Sequence, residues 1–188
     1  MNYGKSSKSY LFKYIIGLIV VLFIIVTNII AKADKYDGKI SFLPDDKLLK
    51  PLLSDIENAK KSIYMAIYMF KTDDHKFNLS TLIEEALYDA LKKGVKVYII
   101  FDKGKGDDIT TDFNEDTADE LKRKGAIVQF DTPQKRLHAK ITVIDEKIVY
   151  IGSHNYTHSA FKYNNEATVR VESEQLAKEV INYIKGLR

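Results

Sequence analysis

The sequence predicts an α/β domain, a mixed central β-sheet flanked by helices on both faces, behind one N-terminal apolar segment. Three observations predict it. In the first part of the domain, short apolar runs alternate with amphipathic helical stretches, the pattern of strands covered by crossover helices. From Leu137 to Val171 the strands follow one another through hairpin-like links, which makes the sheet mixed rather than wholly parallel. And 188 residues, 45% hydrophobic and 29% charged, suit one globular domain with a sizeable core plus one extra segment.

The extra segment comes first. Lys5, Lys8 and Lys13 precede "YIIGLIVVLFIIVTNIIA", Tyr14 to Ala31, and no further charge appears until Lys32. That length is near a membrane span, while "AKA" at Ala31 to Ala33 reads as an A-x-A cleavage signature. Thr27 and Asn28 shorten the unbroken run to Ile15–Val26, the size of a signal-peptide core. Residues 1–33 are therefore expected to be either a signal anchor, held in the membrane through residues 14–31, or a cleavable signal peptide. The leading lysines favour the cytoplasmic side, so the domain is expected outside the cytoplasm, anchored or released after Ala33.

Residues 39–188 read as one domain, without repeats or a low-complexity linker. "KISFLP" is an opening strand ended by Pro44. Leu48, Leu49, Leu52, Leu53 and Ile56 recur at helical spacing, with Pro51 tolerated near the first turn. Ser62 to Phe70 is an apolar run of the length of a strand buried on both faces. A helix from Ser80 to Lys93 follows, with Ser80 as its N-cap and Gly94 stopping it. "VKVYIIFD" is the next buried strand, Thr117 to Lys124 with Gly125 a further helix and stop, and "AIVQFD" another strand. The acid-rich Asp107 to Glu120 reads either as a solvated connection or as a segment that repels the wrong substrate. "SEQLAKEVINYIKGLR" closes the chain as an amphipathic helix.

Composition narrows the chemistry. The absence of cysteine excludes disulfide frameworks and thiolate metal sites. The formal charge of +3 misleads, because Lys5, Lys8, Lys13 and Lys32 lie in residues 1–33, and the remainder carries 25 basic against 26 acidic side chains. The basic balance is therefore no argument for a nucleic-acid partner. Four histidines remain, at positions 75, 138, 154 and 158.

The stretch "RLHAKITVID", Arg136 to Asp145, carries the chemistry. Alternate strand residues share a face, so His138, Lys140 and Thr142 are expected on one side and Leu137, Ala139, Ile141 and Val143 on the other. In "IVYIGSHNY", Ser153 and Asn155 share a face, and Gly152 permits close backbone approach. In "NEATVRV", Glu166, Thr168 and Arg170 align in the same way. Each residue alone reads as ordinary surface or as a satisfied structural group, and Asp145 as the first residue of a turn. Together they put several polar groups on strands that otherwise read as core.

"HAKITVID" fits H-x-K-x4-D, and "IGSHNYTHSAFKYNNEA" resembles the G-S-x-N segment and following glutamate of the phospholipase D superfamily, in particular the small single-copy bacterial Nuc-type endonucleases. The resemblance covers Lys39 to Arg188. It implies a phospholipase D-like fold and a phosphodiesterase in which His138 attacks phosphorus to form a phosphohistidine. It further implies that Lys140 and Asn155 hold the nonbridging oxygens, that Ser153 adds a hydrogen bond, and that Glu166 holds the far ring nitrogen of His138. Asp145 completes the motif and is expected to support it from its turn. One copy is half a site, so the resemblance implies a homodimer with two His138 residues in one centre, and no metal or other cofactor.

The other histidines are weaker candidates. His75 reads as surface, His154 as facing away, and His154 with His158 lacks the further ligands of a zinc site. His158 and Lys162, with Tyr156, Phe161 and Tyr163, could contact bases or phosphates, or could simply cover the end of the core. Three functions follow in order: an extracytoplasmic nuclease acting on DNA or RNA, a phospholipase D acting on lipid headgroups, and a non-catalytic membrane-tethered nucleic-acid binder.

Overall fold

The structure, a computed structural model, describes residues 10, 12–20, 35–72 and 78–187. The chain divides into Met1–Lys35 and Tyr36–Arg188, and the sheet with its helices belongs to the second unit. In the first, residues 12–20 are helical and exposed. Thr27, Asn28, the "AKA" site and His75 lie outside the described residues. Among the described residues, no helix is long and apolar enough to cross a membrane.

Seven strands form one mixed sheet: β1 (Lys39–Pro44), β2 (Ser62–Ile67), β3 (Lys96–Phe101), β4 (Ile127–Phe130), β5 (Lys140–Ile144), β6 (Ile148–Gly152) and β7 (Ala167–Glu172). Their order across the sheet is β1-β7-β6-β5-β2-β3-β4. β2, β3 and β4 pair in parallel, and the remaining neighbours are antiparallel. This is the expected mixed sheet, with the parallel strands joined through helices and a hairpin joining β5 to β6.

Among the described residues of the unit, five α-helices flank the sheet: α1 (Leu49–Asn58), α2 (Leu79–Lys92), α3 (Ile109–Arg123), α4 (His158–Lys162) and α5 (Glu174–Gly186). Leu52 and Ile56 of α1, Ile83 and Leu87 of α2 and Leu121 of α3 pack on Ile63, Met65, Ile67, Val97, Ile99 and Phe101. On the opposite face, Ala177, Val180, Ile181 and Ile184 of α5 meet Tyr64, Ala66, Ile100, Ile141, Val143 and Val149. The period-two alternation of each strand thus feeds two cores, one on either side.

Four boundaries differ from expectation. The run from Ser62 leaves the sheet after Ile67, because Tyr68 N–H donates to Ala139 O (2.9 Å) and Phe70 N–H to Asn114 Oδ1 (2.9 Å). Helix α2 is capped by Asn78, whose side chain accepts Ser80 N–H at 3.1 Å, rather than by Ser80. Helix α3 starts at Ile109, so most of the expected acidic connection is helix, capped by Asp108 through Thr110 N–H (3.1 Å). Thr110, Thr111, Asn114 and Thr117 form its buried side, and polar residues on a buried face disguise helical periodicity. Finally, His138 precedes β5 instead of lying in it.

Candidate active site

β2, β3 and β6 end, and β5 and β7 begin, along one edge of the sheet. That edge gathers the chemistry-bearing residues. Tyr68 follows β2, Asp102 follows β3, Lys140 opens β5, Ser153 and Asn155 follow β6, and Glu166 precedes β7. Asp145 sits at the opposite end of β5, a five-residue strand and so roughly 16 Å away.

His138 and Lys140 meet there. Lys140 Nζ lies 3.1 Å from His138 Nε2 and donates to His138 O at 3.0 Å. An ammonium facing Nε2 favours the tautomer with a lone pair on that nitrogen. Tyr68 supports both groups, its ring 4.6 Å from the imidazole and 4.7 Å from Nζ. Burial, then Lys140 and Arg136, push the imidazole below its ordinary value, and Asp102 opposes them. Burial also lowers the Lys140 ammonium, with Glu166 and Asp102 pulling the other way. A depressed imidazole is neutral at pH 7, as a nitrogen nucleophile must be.

Ser153, Asn155 and Glu166 sit beside this pair. Gly152 is required because a Cβ there would strike Thr168 Oγ1 and Ala167 O on β7. That approach lets Ser153 N–H reach Ala167 O (2.9 Å) and Ala167 N–H reach Ser153 Oγ (3.0 Å). The Glu166 carboxylate accepts from Ser153 Oγ and from Asn164 Nδ2 (3.1 Å). It makes no hydrogen bond to His138, contrary to the role inferred from the resemblance, because the β6–β7 ladder delivers the serine hydroxyl to it first. Asn155 Oδ1 is buried without a hydrogen-bond partner. Since such groups are ordinarily satisfied, this carbonyl marks a place where a polar group is expected.

The remaining candidates divide. Asp145 accepts backbone N–H groups from Lys60 (2.8 Å), Lys61 (2.7 Å) and Ser62 (3.2 Å). With Glu146 it has positive φ, 53° and 57°, in the three-residue hairpin link between β5 and β6. It therefore braces the fold from its turn, at the end of β5 away from His138. His154 is buried, with Nδ1 2.8 Å from Thr168 Oγ1 and Nε2 2.9 Å from Asp45 O. His158 Nδ1 accepts Leu79 N–H (3.2 Å) and so secures the start of α2, while Lys162 lies over the exposed Tyr163 ring.

Three neighbours were not singled out in the sequence. Tyr68 is the platform just described. Arg136 donates to Tyr68 OH (2.9 Å) and Asp108 Oδ2 (2.9 Å). Asp102 is wholly buried and accepts Leu137 N–H at 2.7 Å. The available signal was an aspartate ending an apolar strand and an arginine two residues before the histidine, but each also reads as an ordinary loop residue.

An imidazole and an ammonium in contact at the edge of a mixed sheet, with G-S-x-N and a glutamate at the ends of the adjoining strands, define a phospholipase D-like protein. Residues 52–188 match the family described as cardiolipin synthase, PLD-like domain, and the chain belongs to that family. It is 32% identical over 140 residues to a Rickettsia typhi protein called phospholipase D, covering 74% of this chain and 62% of that one. The Rickettsia prowazekii counterpart is 33% identical, with the same coverage. The chain thus spans less than two thirds of these relatives' length. Its fold matches Nuc from Salmonella typhimurium, a phospholipase D family member, with a TM-score of 0.65, 24% identity, and coverage of 80% of this chain and 93% of that one. NucT from Helicobacter pylori gives 0.64 and 21%, covering 80% and 96%.

Proposed function

We propose that the chain is a metal-independent phosphodiesterase that cleaves DNA or RNA outside the cytoplasm, through a phosphohistidine formed in a homodimeric site. The observation that carries this reading is the 3.1 Å contact of Lys140 Nζ with His138 Nε2 in a chain with a single copy of the motif. In the first step Nε2 forms a bond to phosphorus as the P–O ester bond breaks, and the leaving oxygen takes a proton from the His138 of a second copy. Water then attacks phosphorus, gives its proton to that second histidine, and the P–N bond breaks. Lys140 and Asn155 Nδ2 hold the nonbridging oxygens as charge builds. Ser153, tied to Glu166, orders the approach of Asn155.

A second copy has a surface to occupy. On the face covered by α5, Ile40 and Phe42 of β1 are 70% and 65% exposed, beside Ile151 of β6 and Val169 of β7. Exposed apolar side chains in one patch at the site's edge favour association. The extracytoplasmic assignment rests on the lysines that precede the apolar N-terminal segment.

Hydrolysis of phospholipid headgroups is the second reading, favoured by the Rickettsia relatives called phospholipase D. Plasmid DNA, single-stranded DNA, RNA and anionic phospholipid vesicles, each incubated with the protein in EDTA beside His138→Ala, separate the two. Nucleic-acid cleavage that survives EDTA and is lost in the variant supports the nuclease. Headgroup release alone, with the same dependence, moves the assignment to lipid, and inactivity on every substrate removes the catalytic reading in favour of a non-catalytic binder.

A further inference from the structure

We propose that Asp102, a residue the reaction scheme does not use, is a positioning residue for His138: it fixes the backbone ahead of the imidazole and supplies the buried negative charge that steadies its protonated form. The proposal rests on His138 being the reacting group.

Asp102 joins three parts of the domain. Its N–H donates to Ile67 O at the end of β2 (3.2 Å), and its O accepts Asn114 Nδ2 of α3 (3.1 Å). Its side chain accepts Leu137 N–H through Oδ1 (2.7 Å), so the loop carrying His138 is pinned one residue before the imidazole. An asparagine oxygen would do as much without the cost of burying a charge. The second oxygen needs another explanation, because Oδ2 is buried with no hydrogen-bond partner and lies 3.8 Å from Arg136 Nε.

The groups around His138 supply that explanation. Lys140 and Arg136 disfavour a positive charge on the ring, and the Tyr68 face beside it is uncharged. Of the other carboxylates near this edge, Glu166 is engaged by Ser153 and Asn164, Asp108 by Arg136, and Asp131 by Lys103 N–H. Asp102 is thus the acid whose charge favours the imidazolium against both cations. Burial and the neighbouring Asp131 raise its own carboxyl, while Leu137 N–H and Arg136 keep it ionisable. A histidine that must donate a proton in one half of a cycle and accept one in the other needs such a counter-charge.

The test is the titration of the His138 ring, followed by NMR in the full-length protein, for wild type and Asp102→Asn. The asparagine keeps the acceptor for Leu137 N–H and removes the charge, so His138 should titrate at lower pH. On whichever phosphodiester is cleaved, kcat should fall about tenfold or more with KM little changed, within the range that positioned proton transfer contributes. An unchanged His138 titration would overturn the proposal and leave Asp102 as a backbone anchor only. If the variant does not fold, the wild type decides: the Asp102 carboxylate resonance must show an inflection where His138 titrates, and its absence also overturns the proposal. Neither titration requires turnover, so a wild type inactive on every substrate removes the phosphodiesterase reading without masking this result.

Discussion

Lys140 Nζ touches His138 twice, 3.1 Å from Nε2 and 3.0 Å from the residue's own carbonyl oxygen. The ammonium is thereby fixed against the ring it must assist, and it also holds the imidazole below its ordinary value. Replacing Lys140 with Gln removes that cation, so the His138 pKa should rise. NMR titration reads the shift, and a fall would contradict the arrangement. Phosphodiester cleavage should drop by roughly a hundredfold or more in the same variant, as when one donor to a developing oxyanion is removed.

Asp102 affects stability with the opposite sign from its effect on activity. Its folded pKa is raised, so the unfolded chain releases the proton more readily and the folded state bears a cost once pH exceeds the unfolded value. Asp102→Asn should therefore raise Tm at pH 7. The gain should shrink as pH falls through the raised pKa, where wild-type Asp102 becomes protonated. Calorimetry at pH 7 and pH 4 compares the two, and an equal gain at both would exclude the charge as its cause.

Asp145 belongs to the motif but braces the far end of the sheet. Asp145→Ala leaves the N–H groups of Lys60, Lys61 and Ser62 without their carboxylate and puts alanine at a φ of 53°. Denaturant unfolding should show a loss of about 1–3 kcal/mol. The His138 titration should stay where it is; displacement would show that the turn reaches the site.

Gly152→Ala places a methyl group against Thr168 and the Ala167 carbonyl. Backbone cannot yield as a flexible side chain can, so a loss of about 1–3 kcal/mol is expected in denaturant unfolding. Because Ser153 and Asn155 follow directly, cleavage should fall even at temperatures where the variant stays folded. Full activity in that range would detach the β6–β7 approach from the site.

Phe42→Glu puts a charge into the exposed apolar patch on β1. Sedimentation should find wild type as a dimer and the variant as a monomer that has lost cleavage while keeping its fold. A variant that remains dimeric would place the contact elsewhere.

Much of the fold was legible because burial imposes a period. Ile63 to Ile67 and Val97 to Phe101 are apolar at every position because helices cover both faces, and the Leu48–Ile56 spacing is that of a helix lying on one of them. Legibility failed where polar residues are buried. Thr110, Thr111, Asn114 and Thr117 make the inner face of α3 look like loop, since Asn114 bonds Tyr68 and Asp102 and Thr117 bonds Phe70, partners that lie in other elements.

The site divides in the same way. Sequence alone put His138, Lys140, Ser153, Asn155 and Glu166 on or beside three consecutive strands, because alternation and chain order are local properties. Only the tertiary structure decided that Glu166 binds Ser153 rather than His138, that Tyr68 lies beside His138 and Lys140, and that Asp102 pins Leu137. Those contacts join residues at the ends of β2, β3, β6 and β7 and in the β4–β5 loop. Strand order brings them together, and no spacing along the chain records it.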